Sequence, residues 1–430
     1  MRWVSTFKDK EDQLKNLVLL GIAATIPLKI NLGNAAVIFA VALTLLWFEI
    51  RNLAKLRSFT AIYPIFYFLM ILASTLRSQD LQYGLASTDR YFVPVMLVFI
   101  LINQEIRKEL VSKVLKYFLF SMALATLILI GWSFYRLGSG SPLGDIIFYG
   151  FTDLYDQHPV YYSLYLSLAL FALLLKFLKG HKRRKVIYYS LFIILVLGLV
   201  MSASKAILFI DILALAFLSV FKTRGVRRKL AYSLCLICSF IILANISFIR
   251  SRFSEGLVVN DNIVSFKPTN SFPDKKQFTY DEKKHISDLD LRLIFLKVGI
   301  YHLYKDHQLW FGYGHGDAQG ILDYYLYSYN LAPNWYEGFN VHNQYLHLLL
   351  YYGVIGLFTF LSYMIYSVVL AIRRRDMIHL IFLAILGFVF CFEVPLLRIK
   401  GIVFFFFFNT LFLLNKPHVE NSNFRHERDT

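Results

Sequence analysis

The sequence predicts an all-α polytopic integral membrane protein of about twelve transmembrane helices, with a large, partly helical loop between the ninth and tenth. Three observations carry this. Of 430 residues, 57% are hydrophobic and only 17% charged, against about 25% charged in a soluble globular domain. Apolar runs such as 17–26, 187–201 and 402–414 recur along the whole chain. Lys and Arg total 45 against 28 Asp and Glu, a formal net charge of +17, and that excess falls in alternate loops. Length alone would allow two or three soluble domains; the apolar content excludes them.

A bilayer core of about 30 Å takes roughly 20 apolar residues per helix. On that template the spans fall near 16–30, 34–49, 59–76, 91–103, 114–134, 158–178, 186–201, 205–221, 230–249, 343–372, 377–394 and 399–415. The fourth is short and the tenth long. Residues 1–15 are charged and the first apolar run has no small-residue cleavage site, so the first helix is expected to be an uncleaved insertion signal.

The loops alternate in charge. Arg51, Lys55 and Arg57; Arg107, Lys108 and Lys113; Lys182–Lys185; Lys222–Lys229; and Arg373–Arg375 form the basic set. Segments 77–90, 135–157, 250–341 and 394–400 are mixed. Positive charge marks the cytoplasmic side, which places both termini in the cytoplasm, as an even helix count also requires. The positive excess is thus an orientation signal and calls for no nucleic-acid partner.

The outward loop divides the chain into 1–249, a loop domain 250–342, 343–415 and a polar tail 416–430, expected to be disordered. Its first part, 260–284, reads as irregular. From Ser287 an amphipathic helix is expected: Ser287 caps, Asp288 and Asp290 suit a first turn, and Leu289, Leu293, Leu296 and Ile300 follow at helical spacing. Gly312-Tyr313-Gly314-His315-Gly316 breaks it, and the aromatic stretch 324–339 leads to Asn340-Val341-His342-Asn343.

Most chemistry-like motifs have plain explanations. Cys235-x-x-Cys238 lies inside an expected membrane helix with no second ligand pair, and Cys391 stands alone. The Gly-rich loop follows no strand, so it is no dinucleotide fingerprint. His302/His307 and His342/His347 are five apart and cannot share a helix face. No protein-bound metal or cofactor is expected.

What remains is polar residues at the outer ends of helices. Lys205 lies in Met201-Ser202-Ala203-Ser204-Lys205; a charge within a membrane segment costs roughly 2.5–3.5 kcal/mol at mid-helix, so it either snorkels to the interface or has an anionic partner. Asp211, further in, has no evident partner. Arg90 opens the fourth span, Arg398 and Lys400 the twelfth; each is an interface anchor or an anion contact. Arg292 sits on the loop helix, and His342 and Asn343 open the tenth span. Together these cations suit a lipid phosphate or diphosphate, and a histidine suits removal of a proton from an attacking hydroxyl.

Arg292 and its helix, then Asp306-His307-x-x-Trp310-Phe311-Gly312-Tyr313-Gly314, then His342-Asn343-x-x-Leu346 running into Gly353-x-x-Gly356-Leu357, resemble the O-antigen ligase/polymerase family of bacterial envelope glycosyltransferases, its ligase branch above all. Weaker matches are His158-Pro159 and Ser202-Ala203-Ser204-Lys205. The resemblance implies transfer of a glycan from an undecaprenyl-diphosphate carrier to an acceptor hydroxyl, such as that of lipid A–core, at the periplasmic face of the inner membrane, without metal or nucleotide. It puts the catalytic histidine on His342 and the loop-helix arginine on Arg292. Beside these, the cations at the outer helix ends make Lys205, Arg90 and Arg398 the expected diphosphate contacts, with Asn343, Tyr345 and His158 expected to support the site. The family's serine turn usually continues with Arg, and here Lys205 supplies a point charge instead of a bidentate fork; Gln308 stands where Pro is common. An O-antigen or exopolysaccharide polymerase and a protein O-oligosaccharyltransferase share this chemistry. A lipid-linked glycan transporter is the rival from another class, but repeated halves are not evident.

Overall fold

The computed structural model describes residues 2–177, 185–222, 259–271 and 274–415. The expected span 230–249, Cys235, Cys238 and the tail from Lys416 lie outside them. Among the described residues the chain is helical, with no strand. The helices are α1 (Arg2–Thr25), α2 (Ile30–Leu46), α3 (Phe59–Arg77), α4 (Leu81–Thr88), α5 (Val93–Ile102), α6 (Lys108–Gly138), α7 (Tyr149–Thr152), α8 (Pro159–Ala172), α9 (Lys185–Ser202) and α10 (Lys205–Lys222). In the loop domain follow α11 (Asp261–Ser265), α12 (Tyr280–Lys284), α13 (Asp288–Lys305) and α14 (Ala318–Ser328), then α15 (Gln344–Arg373), α16 (Met377–Val389) and α17 (Ile399–Leu414).

Five described helical stretches are long and apolar enough to cross a membrane: Phe59–Arg77, Leu81–Ile102, Lys108–Gly138, Pro159–Lys176 and Gln344–Arg373. The chain is an integral membrane protein. The fourth span is longer than its hydropathy suggested, because α4, a 3-10 turn at Asp89–Phe92 and α5 run on as one stretch from Leu81. Asp89 and Arg90 had masked that continuity. Asp80 caps α4 by accepting the Tyr83 N–H at 2.9 Å.

α17 explains the poly-phenylalanine run. Every residue from Gly401 to Leu413 is buried, as expected for a helix that is apolar all round and lies at the centre of a bundle. It packs on α5, α3, α8 and α15. In α8 every residue but Tyr161 is buried, and Ser167 Oγ donates to Asp211 Oδ2 on α10 at 2.6 Å. Asp211 thus has a partner.

The connections gather at opposite ends of the bundle. At one end Lys400 Nζ reaches the Ile26 and Leu28 carbonyls, Gln157 reaches Pro27 and Leu28, and Arg90 reaches Leu397. At the other, Lys55 meets Ile102 and Gln104, Gln104 meets Lys15, and Arg374 meets Phe412, Leu413 and Asn415.

α15 is not straight. Gly353 has φ +66 and ψ −167 within it. Tyr345 and Phe360 have ring centroids 6.5 Å apart, whereas fifteen residues of straight helix would separate them by roughly 22 Å along the axis. The first third of α15 therefore folds back from the rest. The loop at 309–314 fills the break: Tyr313 and Gly314 N–H donate to Leu350 and Tyr351 carbonyls (2.8 and 3.2 Å), and Val354 and Ile355 N–H donate to Leu309 and Trp310 (2.9 and 3.3 Å). Arg77 Nη2 clamps the same loop through the Phe311 and Gly312 carbonyls, both at 2.8 Å.

Candidate active site

The folded-back start of α15 is fastened at its tip. Asn343 caps it by accepting the Leu346 N–H at 2.9 Å, and its Nδ2 donates to the Cys391 carbonyl at 3.2 Å. Gln344 N–H donates to Phe390 O at 2.8 Å, Gln344 Oε1 accepts the Leu396 N–H at 3.0 Å, and Tyr345 Oη donates to Gly387 O at 2.9 Å. Residues 387–396, where α16 ends and α17 is about to begin, are thereby held against His342.

His342 itself sits at φ +45, a region costly for a residue with a Cβ. Its N–H donates to Asn340 Oδ1 at 2.9 Å, the short-range bond by which Asn fixes turns. In this pose Nδ1 lies 3.4 Å from Glu393 Oε2. Glu393 Oε1 lies 4.0 Å from Arg292 Nη2. Arg292 is fixed on α13 by Nη1 donating to Asp288 O at 2.9 Å, and Nε and Nη2 donate to Phe392 O at 3.4 and 3.3 Å. The three side chains are 27%, 17% and 24% exposed, so they are ordered yet open to a ligand.

His158 caps α8, accepting the Val160 N–H on Nδ1 at 3.3 Å. A neutral ring then carries its proton on Nε2, 2.9 Å from Tyr149 Oη. Burial holds His158 below the usual histidine range; Glu393 opposes this, while His342 and Arg398 add to it. Those charges identify His158 as a neighbour of the cluster. Arg398 is exposed and follows the 3-10 turn Pro395–Leu397. Arg90 spends Nη1 on Leu397 O at 2.8 Å and Nε on Ser87 O at 3.1 Å. Lys205 is half-buried at the first residue of α10. α10 packs on α16, with Phe209 and Phe388 rings 5.7 Å apart, so Lys205 opens at the end where α16 delivers Glu393.

The structure thus brings His342 and Arg292 together around Glu393, with His158 and Arg398 alongside. Arg90 joins through the backbone at Leu397. Asn343 and Tyr345 dock α15 onto α16. Glu393 was not singled out from the sequence, although the signal existed: a carboxylate inside the expected span 377–394 asks for a partner, as Lys205 and Asp211 did.

Other motifs are structural. Asp290 completes the cap of α13, accepting the Ser287 N–H at 3.1 Å and the Asn260 N–H at 2.9 Å. Asp306 accepts from Tyr313 and Tyr325 hydroxyls at 2.8 and 2.5 Å. Buried His315 bonds Ser87 Oγ at 2.9 Å and Tyr352 Oη at 2.8 Å, and burial pushes it down to about 4. Among the described residues no group of three or more His, Cys, Asp or Glu is placed to hold a metal ion.

Residues 190–361 match the family model described as O-antigen ligase. Over that segment the chain is similar to the O-antigen ligase family. No curated protein matches it. The O-antigen ligase match contains Lys205, Arg292, His342 and Gly353, while Arg90, His158, Glu393 and Arg398 lie beyond its limits. Members of this family are glycosyltransferase-like ligases and polymerases, with a lipid-linked glycan and a glycan acceptor as partners.

Proposed function

We propose that this O-antigen ligase family protein transfers a glycan from an undecaprenyl-diphosphate carrier to an acceptor hydroxyl, that of lipid A–core, at the periplasmic face of the bacterial inner membrane. Both termini would be cytoplasmic. The observation that carries the reading is Glu393 set between His342 and Arg292, one carboxylate oxygen 3.4 Å from His342 Nδ1 and the other 4.0 Å from Arg292 Nη2.

With Glu393 holding Nδ1–H, the Nε2 lone pair is free to take a proton, the arrangement of a base oriented by a third group. The acceptor oxygen attacks the anomeric carbon of the donor sugar. Its proton passes to His342 Nε2, the bond from carbon to the diphosphate oxygen breaks, and the diphosphate leaves with the electron pair. Attack opposite the leaving group inverts the anomeric carbon. Arg292, with Lys205, Arg90 and Arg398, would bind the diphosphate and stabilise the charge that grows on it. His158 would support the site beside Arg398. No metal or other cofactor enters this scheme.

The test is a deletion strain complemented with the wild-type chain or His342→Ala, with surface glycan and carrier-linked glycan compared on gels. His342→Ala, present in the membrane at wild-type level, should leave the surface without glycan and carrier-linked polymer accumulated. Glycan transfer at near wild-type rate would end the mechanism. Shortened glycan still attached to its acceptor would instead identify a polymerase.

A further inference from the structure

Aromatic residues lead away from His342 in an unbroken run. The Phe339 ring lies 6.5 Å from the His342 ring, Tyr336 lies 5.7 Å from Phe339, Trp335 lies 6.4 Å from Tyr336, and Tyr280 lies 5.7 Å from Trp335. Both ends face outward: Phe339 is 43% and Tyr280 60% exposed. An exposed phenylalanine gains little from folding, since burial of apolar area is what stabilises such a ring. Yet this one is held out deliberately. Gly338, at φ +73, donates its N–H to Asp323 Oδ1 at 3.0 Å; Phe339 N–H donates to Tyr336 O at 3.2 Å; and Gln319 Nε2 donates to Phe339 O at 3.2 Å. Contact with lipid tails does not account for it, because Glu337 and Gly338 beside it are exposed and Asp323 fastens the turn. A carboxylate in lipid is costly.

We propose that Phe339 and Tyr336 form a subsite for a pyranose ring of the acceptor glycan, with Trp335 and Tyr280 continuing the track. This rests on the transferase reading above. The axial C–H groups of a pyranose are weakly positive and fit the negative face of an aromatic ring. A sugar seated on Phe339 sets its hydroxyl toward His342. Arg398 and the neutral His158 reach the cluster from the starts of α17 and α8, leaving the Phe339 side for the group that attacks.

The donor lipid-linked glycan and the acceptor lipid, both extracted from the deletion strain, would be varied one at a time over membranes containing each variant. Phe339→Ala should raise the acceptor KM at least tenfold, with kcat and donor KM within twofold of wild type, and Phe339→Trp should bring the acceptor KM back toward wild type. Acceptor KM within twofold of wild type in Phe339→Ala overturns the subsite, as does a rise confined to the donor KM. His342→Ala run in parallel separates the failures: if it is inactive while Phe339→Ala is unchanged, only the subsite falls. If His342→Ala is active, the transferase mechanism itself falls.

Discussion

At His342, backbone and side chain serve one purpose. The left-handed φ of +45 costs roughly 1–2 kcal/mol, and the Asn340 bond at 2.9 Å helps offset it. What the pose achieves is the approach of Nδ1 to Glu393. A carboxylate that fixes the tautomer and orientation of a histidine base contributes heavily to rate. Glu393→Gln keeps the shape and removes the charge, so we expect kcat to fall by about 10²–10⁴-fold with protein level unchanged. A wild-type kcat in that variant, measured by the membrane transfer assay, would remove Glu393 from the mechanism. Much of this residue set was readable beforehand: Arg292 and His342 stand in ordered motifs. Glu393 was not, because it is 51 residues from His342 in the chain and belongs to no local pattern.

At the scale of elements, the decisive feature is the break in α15. A helix broken at Gly353 frees carbonyls before the break and N–H groups after it. In an apolar environment each unpaired group costs on the order of 1–3 kcal/mol. The loop at 309–314 satisfies four of them, which gives the Gly-x-Gly and Gly-x-x-Gly motifs a physical meaning. A Cβ on Gly353 would stand 2.3 Å from the Trp310 carbonyl carbon and oxygen, and one on Gly312 would stand 2.6 Å from Leu350 O. Gly353→Ala should therefore destabilise the protein by about 3 kcal/mol or more, combining clash with the strain of a φ/ψ pair, +66 and −167, that is essentially confined to glycine (roughly 1–3 kcal/mol of it). The midpoint of thermal unfolding in detergent reads this directly; an unchanged midpoint would mean that loop and helix are not interlocked. The sequence announced a turn at 312–316 and an overlong tenth span. It did not announce that one plugs the other.

For the whole molecule, folding hides two histidines of the loop domain in neutral form. Burial lowers His302 and His315 to about 4, against roughly 6.5 in an unfolded chain. The unfolded state therefore binds more protons at mildly acid pH. The stability these residues contribute is present above about pH 6.5 and is lost as pH falls toward 4, by up to about 3 kcal/mol each. The unfolding midpoint should drop between pH 6.5 and 4.5, and His315→Gln should flatten that slope. An identical slope in the variant would contradict the assignment.

Fold class and the ordering of charged and apolar segments followed from the sequence alone, because hydropathy and charge act locally and sum along the chain. The motifs naming Arg292 and His342 are local too. Tertiary structure alone decided which groups surround them. Glu393 meets His342, Arg292 reaches Phe392 across 100 residues, Ser167 finds Asp211, and Phe339 is held beside the site by α14. Each of these depends on where packed helices end relative to one another, and no window of sequence contains that information.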